Sequence, residues 1–267
     1  MFKIGEGVEI HKSARIDVEE GVLGDRSIVG PNAVIEGRKV SIGHEAWIGE
    51  SASIGGGSCH GPDSVLEIGD FLHMGRFSHL NQGMGLTIGH EFGCGMNTKV
   101  FTHGAYESAW EGFPVQWASV RIGDRAWLPN AWVNPGVSIG SNVVVAAMSL
   151  VNKDLPDGCL AGGIPCKILK EGVFPRTLSK QEKGEIFDSI FSNALRILAL
   201  SPGTDNEKPS YDREDEDVFI VGDTSFDIRK RAIDGPATDF TEALKNQLRR
   251  NGIRFRYKSE NGYYVRW

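Results

Sequence analysis

Aliphatic residues return along the first part of the chain at a step of six. Ile10, Ile16, Val22, Ile28 and Val34 keep that step, and Ile42, Ile48 and Ile54 resume it after a two-residue slip. Ile68, Met74 and Leu80 carry it on, followed by Ile88, Cys94 and Val100; after a gap come Ile122 and Leu128, then Val133, Ile139, Val145 and Val151. Small residues recur just before many of these positions, among them Ala46, Ala52, Ser78, Thr98 and Ala126, and a glycine often follows, as after Ile42, Ile48, Ile68 and Ile88. A period of six matches neither a 3.6-residue helix nor an alternating strand. It matches a short strand plus a tight turn, repeated, so that three units close a triangular coil of about 18 residues. One coil buries nothing by itself, and many must stack. Glycine is expected at the corners, for positive φ or for close backbone approach. An antiparallel β-domain rich in turns is the alternative, but its strands would not hold one spacing over so long a stretch.

Past residue 170 the periodicity changes. Phe187, Ile190, Phe191, Ala194 and Leu198 fall on one stripe, and Ser179 with Glu182 reads as a capping box, so a helix is predicted over 178–200. The polar, proline-bearing run at 201–217 reads as a linker. Strand 217–222, helix 238–250 ending at Gly252, and a hairpin of 253–257 with 263–267 around Glu260-Asn261-Gly262 complete a small α/β module. Its basic run from Arg249 to Lys258 reads first as a solvated face and second as a polyanion contact.

Composition narrows the function. Glycine supplies 34 of 267 residues, nearly twice the usual share, without a collagen register. Apolar residues at 40% exclude wholesale disorder, and a net charge of −6 argues against nucleic acid as the main partner. Four cysteines lack CxxC spacing, which suggests neither a zinc ribbon nor a disulfide framework. No run of about 18 apolar residues occurs, so no membrane span is expected, and the first residues lack the apolar core of a signal peptide. A cytoplasmic protein is the expectation.

The hexads IGHEAW-IGESAS-IGGGSC, and above all residues 120–170 with their NKD and GGIPCKILK endings, resemble the hexapeptide-repeat acyltransferases, in particular galactoside and maltose-type sugar O-acetyltransferases. The resemblance implies a mainly β fold: a left-handed parallel β-helix over 1–170, with a protruding loop at about 101–119, followed by the helix and α/β module of 171–267. It implies acetyl-CoA as acyl donor, a carbohydrate hydroxyl as acceptor in surface polysaccharide or sugar modification, a homotrimer, and no catalytic metal. N-acylation of an amino sugar, nucleotide-linked in one version, and a non-catalytic hexapeptide scaffold are the alternative readings. The chain departs from the family in two places. WLPNAWVNPG is one residue short, and VAAMS stands for IGAGS, adding bulk where the thiol arm of the donor normally lies.

The insertion between Val100 and Val120 holds Tyr106, Trp110, Phe113 and Trp117 beside Thr102-His103. From composition it is equally a surface cover packed by its own aromatics or a functional loop. The resemblance implies that His103 is the catalytic base, a task that suits imidazole at neutral pH. Glu107 and Glu111 are candidates to orient its other nitrogen, a solvated surface carboxylate being the alternative for each. Asn81 and His79 match a region that contacts the acceptor, although a turn Asn is the ordinary alternative. The resemblance also assigns Trp127, Ala147, Asn152, Lys153, Lys167 and Lys170 to the donor, the lysines to its phosphates. Ordinary surface charge is the competing reading of each lysine. His73 and His79, six apart, are expected to stack. The zinc-binding carbonic anhydrase branch of the fold needs a histidine pair five apart, which is absent.

Overall fold

In the computed structural model, which describes residues 1–199 and 209–266, the aliphatic residues of the hexads stand in three parallel ladders. The first runs through Ile4, Leu23, Ile42, Ile68, Ile88, Ile122 and Ile139. The second carries Ile10, Val29, Ile48, Met74, Cys94 and Leu128, and later Val145 and Ala161. The third carries Ile16, Ile35, Ile54, Leu80, Val100, Val133 and Val151. Ile42, Ile48 and Ile54 take one place on each ladder in turn, so six residues advance the chain by one face. The result is a mainly β, curled parallel architecture whose interior is the column of stacked aliphatic side chains. This unit spans Met1–Arg176, and a second compact unit spans Thr177–Trp267.

Two expectations about the coil are corrected. The inward residues of the early coils are Leu23, Val29 and Ile35, all at most 1% exposed, rather than Val22, Ile28 and Val34. A seven-residue step occurs where strands Arg15–Leu23 and Val34–Ile42 run straight through a corner. Gly21 makes this possible: its φ is +132°, and a Cβ there would lie 1.8 Å from the Val40 carbonyl oxygen. The other correction concerns corner chemistry. Positive φ at the second-to-third corner is carried by Asn32, Ser51, Phe77, Asn97, Asn130 and Met148, none of them glycine. The glycines after the apolar residues serve close approach instead: a Cβ on Gly75 would lie 2.5 Å from the Met96 nitrogen. The shortened segment is absorbed between Leu128 and Val133, where Asn130 turns at φ 52° and Ala131 starts the next strand.

His73 and His79 do not stack, because a step of six moves to the next face. His73 lies flat on Trp47 with centroids 4.5 Å apart, and His79 stands on the third ladder.

In the second unit, helix α1 (Lys180–Leu198) starts at the Ser179–Glu182 capping box and buries Phe187, Ile190, Phe191 and Ala194. Helix α2 (Asp239–Arg250) begins at a second capping box, Thr238 with Thr241. The closing hairpin pairs Tyr257–Glu260 with Tyr263–Arg266 through Asn261-Gly262, so its first strand starts later than the sequence pattern indicates. Strands Thr224–Asp227 and Ala232–Pro236 add to the predicted Val218–Val221. Asp212–Arg213 is a short strand within the expected linker, and the part of that linker at 201–208 lies outside the described residues, as do Leu200 and Trp267. No described helix is long and apolar enough to cross a membrane.

Candidate active site

Strand Lys99–Val100 of the third ladder ends at the corner where the coil is interrupted. Val100 is followed by Phe101, buried Thr102 and half-buried His103, and His103–Gly104 pairs antiparallel with Gln116–Trp117 to open and close the insertion. The His103 ring lies on the Trp117 indole, with centroids 4.6 Å apart and planes 11° apart. The site therefore has a rigid coil on one side and a two-stranded arm on the other.

Asn81, one coil earlier at the same corner, lies behind the histidine. Its side chain is 1% exposed. The amide nitrogen donates to the Gly55 and Gly57 carbonyls, each at 3.1 Å. Those partners only accept, so the amide cannot be turned round. Its Oδ1 accepts from the Gly83 amide (3.1 Å) and the Thr102 hydroxyl (3.0 Å), and faces His103 Nδ1 at 2.9 Å. An oxygen that only accepts requires the proton to sit on Nδ1, which leaves the lone pair on Nε2. Nε2 faces Gly57, where a Cβ would lie 3.6 Å away, so a side chain there would stand against the nitrogen.

Asn81 was expected against the acceptor. Its amide is instead fully committed within the protein, and it, not Glu107 or Glu111, meets the second nitrogen of His103. His79 is close by. Its Nδ1 is 2.8 Å from the Ser53 hydroxyl, and its ring is 5.4 Å from Phe101. Burial, reinforced by the Lys99 ammonium, lowers the His79 pKa below the ordinary imidazole value.

The residues expected to hold the donor are spread over other parts of the coil. Asn152 and Lys153 are exposed, farther along the His103 corner, next to Asn134 by the Val133–Val151 pairing. Trp127 stands on the second face, its ring over Gly93, where any Cβ would meet it at 2.5 Å. Ala147 is exposed at the corner between the second and third faces. Ser149 ties that corner to the last turn, donating to the Ala146 carbonyl (2.7 Å) and accepting from the Gly163 amide (3.0 Å). Lys167 and Lys170 lie exposed on strand Lys167–Lys170, antiparallel to Leu160–Gly162. Among the described residues none of the three lysines has an ion-pair partner, so their charge is available to a phosphate. His103, Asn81 and His79 are thus brought together, whereas Trp127, Ala147, Lys167 and Lys170 lie on another face of the same chain. Among the described residues no group of three or more His, Cys, Asp or Glu side chains converges. The buried thiols are poor nucleophiles: burial pushes Cys94 up to about 12.

A cleft of about 600 Å³ opens beside His103, lined by Phe101, His103, Gly104, Pro114, Val115, Gln116, Trp132, Asn134 and Pro135. Trp132 and Asn134 were not singled out by sequence reasoning. The available signal was a tryptophan at an outward hexad position.

No family model matches the chain. Over 53 residues it is 42% identical to the galactoside O-acetyltransferase of Escherichia coli, a stretch covering 20% of this chain and 26% of that protein. Over 71 residues it is 35% identical to a putative colanic acid biosynthesis acetyltransferase of the same organism, covering 26% of this chain and 39% of the relative. The chain resembles the hexapeptide-repeat O-acetyltransferases. Among solved structures, a hexapeptide-repeat-containing acetyltransferase of Vibrio cholerae complexed with acetyl coenzyme A is 26% identical, with a TM-score of 0.39, covering 55% of this chain and 69% of that one. The chain spans about a quarter of the length of the galactoside O-acetyltransferase it matches.

Proposed function

We propose that the protein is an acyltransferase that moves an acetyl group from acetyl-CoA to a carbohydrate hydroxyl, with His103 as general base. The observation that carries this reading is the one-way hydrogen-bond chain from the Gly55 and Gly57 carbonyls through Asn81 to His103 Nδ1. It sets the tautomer in which Nε2 can take a proton at neutral pH. Asn81 is then a positioning residue, and stacking on Trp117 keeps the ring from turning. The donor supplies an activated thioester. His103 withdraws the acceptor proton as the acceptor oxygen attacks the thioester carbonyl, the acyl carbon–sulfur bond breaks, and the proton passes from His103 to the departing sulfur, which leaves as the thiol.

The exposed lysines fit the donor. Lys153, Lys167 and Lys170, which have no ion-pair partner among the described residues, offer ammonium groups for its phosphates, and Trp127 and Ala147 are read as further donor contacts. Because Lys167 and Lys170 lie on a different face from His103, the reading includes a homotrimer in which His103 of one chain meets the donor held by its neighbour. It also includes a left-handed turn for the coil, from the likeness of the hexads to the family. The test is free-thiol release from acetyl-CoA by the full chain over a panel of glycosides and amino sugars. Acceptor-dependent release with ester formation supports it. Amide formation on an amino sugar would move the reading to N-acylation, and no release with any acceptor would leave a scaffold.

A further inference from the structure

We propose that Phe101 and Trp132 form a ring-stacking shelf that holds a neutral pyranose of the acceptor beside His103, which makes Trp132 a specificity-determining residue. The inference rests on the carbohydrate reading above and adds the place and the chemistry of recognition.

The ladder builds the shelf. Pairing of Lys99 with Trp132 and of Val100 with Val133 sets Phe101 and Trp132 on neighbouring coils, with ring centroids 4.9 Å apart and planes inclined by 35°. Trp132 remains 48% exposed, although a side chain of that size gains most from burial. The imidazole of His103, itself fixed on Trp117, lines the same cleft. The cleft between them has the size of small-molecule sites.

Charge decides the class of ligand. Among the described residues no Lys, Arg, Asp or Glu lines the cleft. Lys99, which separates His79 from Trp132 on the ladder, turns its ammonium to the Phe77 carbonyl at 2.6 Å. A phosphate or a carboxylate would find no counter-ion there. What the cleft offers is aromatic surface plus amides. Among the described residues the Asn134 side chain has no partner, and Gln116 spends only its nitrogen, on the Pro135 carbonyl at 3.0 Å. Aromatic faces take the C–H face of a sugar ring, while amides both donate to and accept from hydroxyls. A neutral pyranose presents both surfaces at once. Lys153 stands farther along this corner and Lys167 and Lys170 on another face, all outside the cleft lining, and the adenosine phosphates of a donor belong with them.

The experiment titrates the full chain, without acetyl-CoA, with methyl glycosides of galactose, glucose, N-acetylglucosamine and N-acetylgalactosamine. Binding is followed by saturation-transfer NMR and tryptophan fluorescence. At least one of the four is expected to bind saturably. Trp132→Ala should weaken that binding by at least about tenfold, and Trp132→Phe by less than about threefold, because the second keeps the ring. Phe101→Leu serves as a second variant, and thermal melts confirm that each protein is folded. Acetyl-CoA affinity, measured by calorimetry, should change less than about twofold in Trp132→Ala. Absence of saturable binding by all four glycosides overturns the proposal, as does unchanged glycoside affinity in both variants. Loss of acetyl-CoA affinity in Trp132→Ala would also overturn it, by giving the cleft to the donor. The titration contains no donor, so the shelf can fail while thiol release stands, and thiol release can fail while the shelf stands.

Discussion

The chemistry of the site turns on one oxygen. Asn81 Oδ1 gathers the Gly83 amide, the Thr102 hydroxyl and His103 Nδ1 within 3.1 Å, and no water competes at a side chain that is 1% exposed. His103→Ala should fold normally and transfer acetyl groups at least about 100-fold more slowly, the usual scale for losing a general base. Turnover near that of the parent would remove the assignment. Asn81→Ala should do two things. It should slow turnover by freeing the ring to take the wrong tautomer, and it should lower stability by about 1–3 kcal/mol through buried groups left without partners. Denaturant melts and steady-state rates on the same preparation separate the two. His79 provides a pH signature. Its folded-state pKa lies below the ordinary imidazole value of about 6.5, chiefly through burial, so the unfolded chain binds the proton first as pH falls. Its contribution to stability is complete above about 6.5 and is lost as pH falls toward the lower folded value. His79→Asn should therefore flatten the acid side of the stability curve, and a curve superposable on the parent's would count against the burial argument.

At the scale of the element, each coil is held to the next by backbone contact so close that side chains are excluded. Gly75→Ala places a Cβ 2.5 Å from the Met96 backbone nitrogen, which cannot move aside as a flexible side chain would. A loss of about 1–3 kcal/mol is expected, in line with overpacking of a filled interior. Gly104→Ala is the matched control, since a Cβ there meets nothing within 4 Å. Thermal melts that rank the two the other way would show that the stacked backbones are not the limiting contact. The helices of the second unit follow a different logic. Both begin at reciprocal side-chain caps, Ser179 with Glu182 and Thr238 with Thr241, which satisfy amides that the helix itself leaves open. The pattern of the first cap is visible in the sequence. The second uses Thr where Glu or Gln is usual, so only the hydrogen bonds reveal it.

For the whole molecule, the aromatic arm sets the expectation. Trp110 is 98% exposed and Tyr106 is 96% exposed in the single chain, an expensive display of apolar surface in water. The proposed threefold assembly would cover such an arm with the neighbour's flat face and would bring His103 toward the lysines of that neighbour. Light scattering at micromolar concentration should give about three times 29.2 kDa. Trp110→Asp should shift the mass toward the single chain. A monomeric parent protein would require His103 to meet Lys167 and Lys170 within one chain, although they lie on different faces.

The hexads alone determined the architecture, because a period of six is a local property: each unit needs only an inward aliphatic residue, a small residue and a turn. The α1 cap was legible for the same reason, since it depends on neighbours in the chain, whereas His103 was singled out only by the resemblance. The early register was not. Val22-Leu23, Ile28-Val29 and Val34-Ile35 are aliphatic pairs, and either member reads as inward; the seven-residue step through Gly21 made the choice. The role of Asn81 was equally out of reach, because its partners Gly55, Gly57, Thr102 and His103 lie more than twenty residues away along the chain and meet it only through stacked coils. Trp132 and Phe101 are neighbours for the same reason. Coil stacking makes contacts at separations that no single-sequence period encodes, so the fold was written locally and the site was assembled by the tertiary structure.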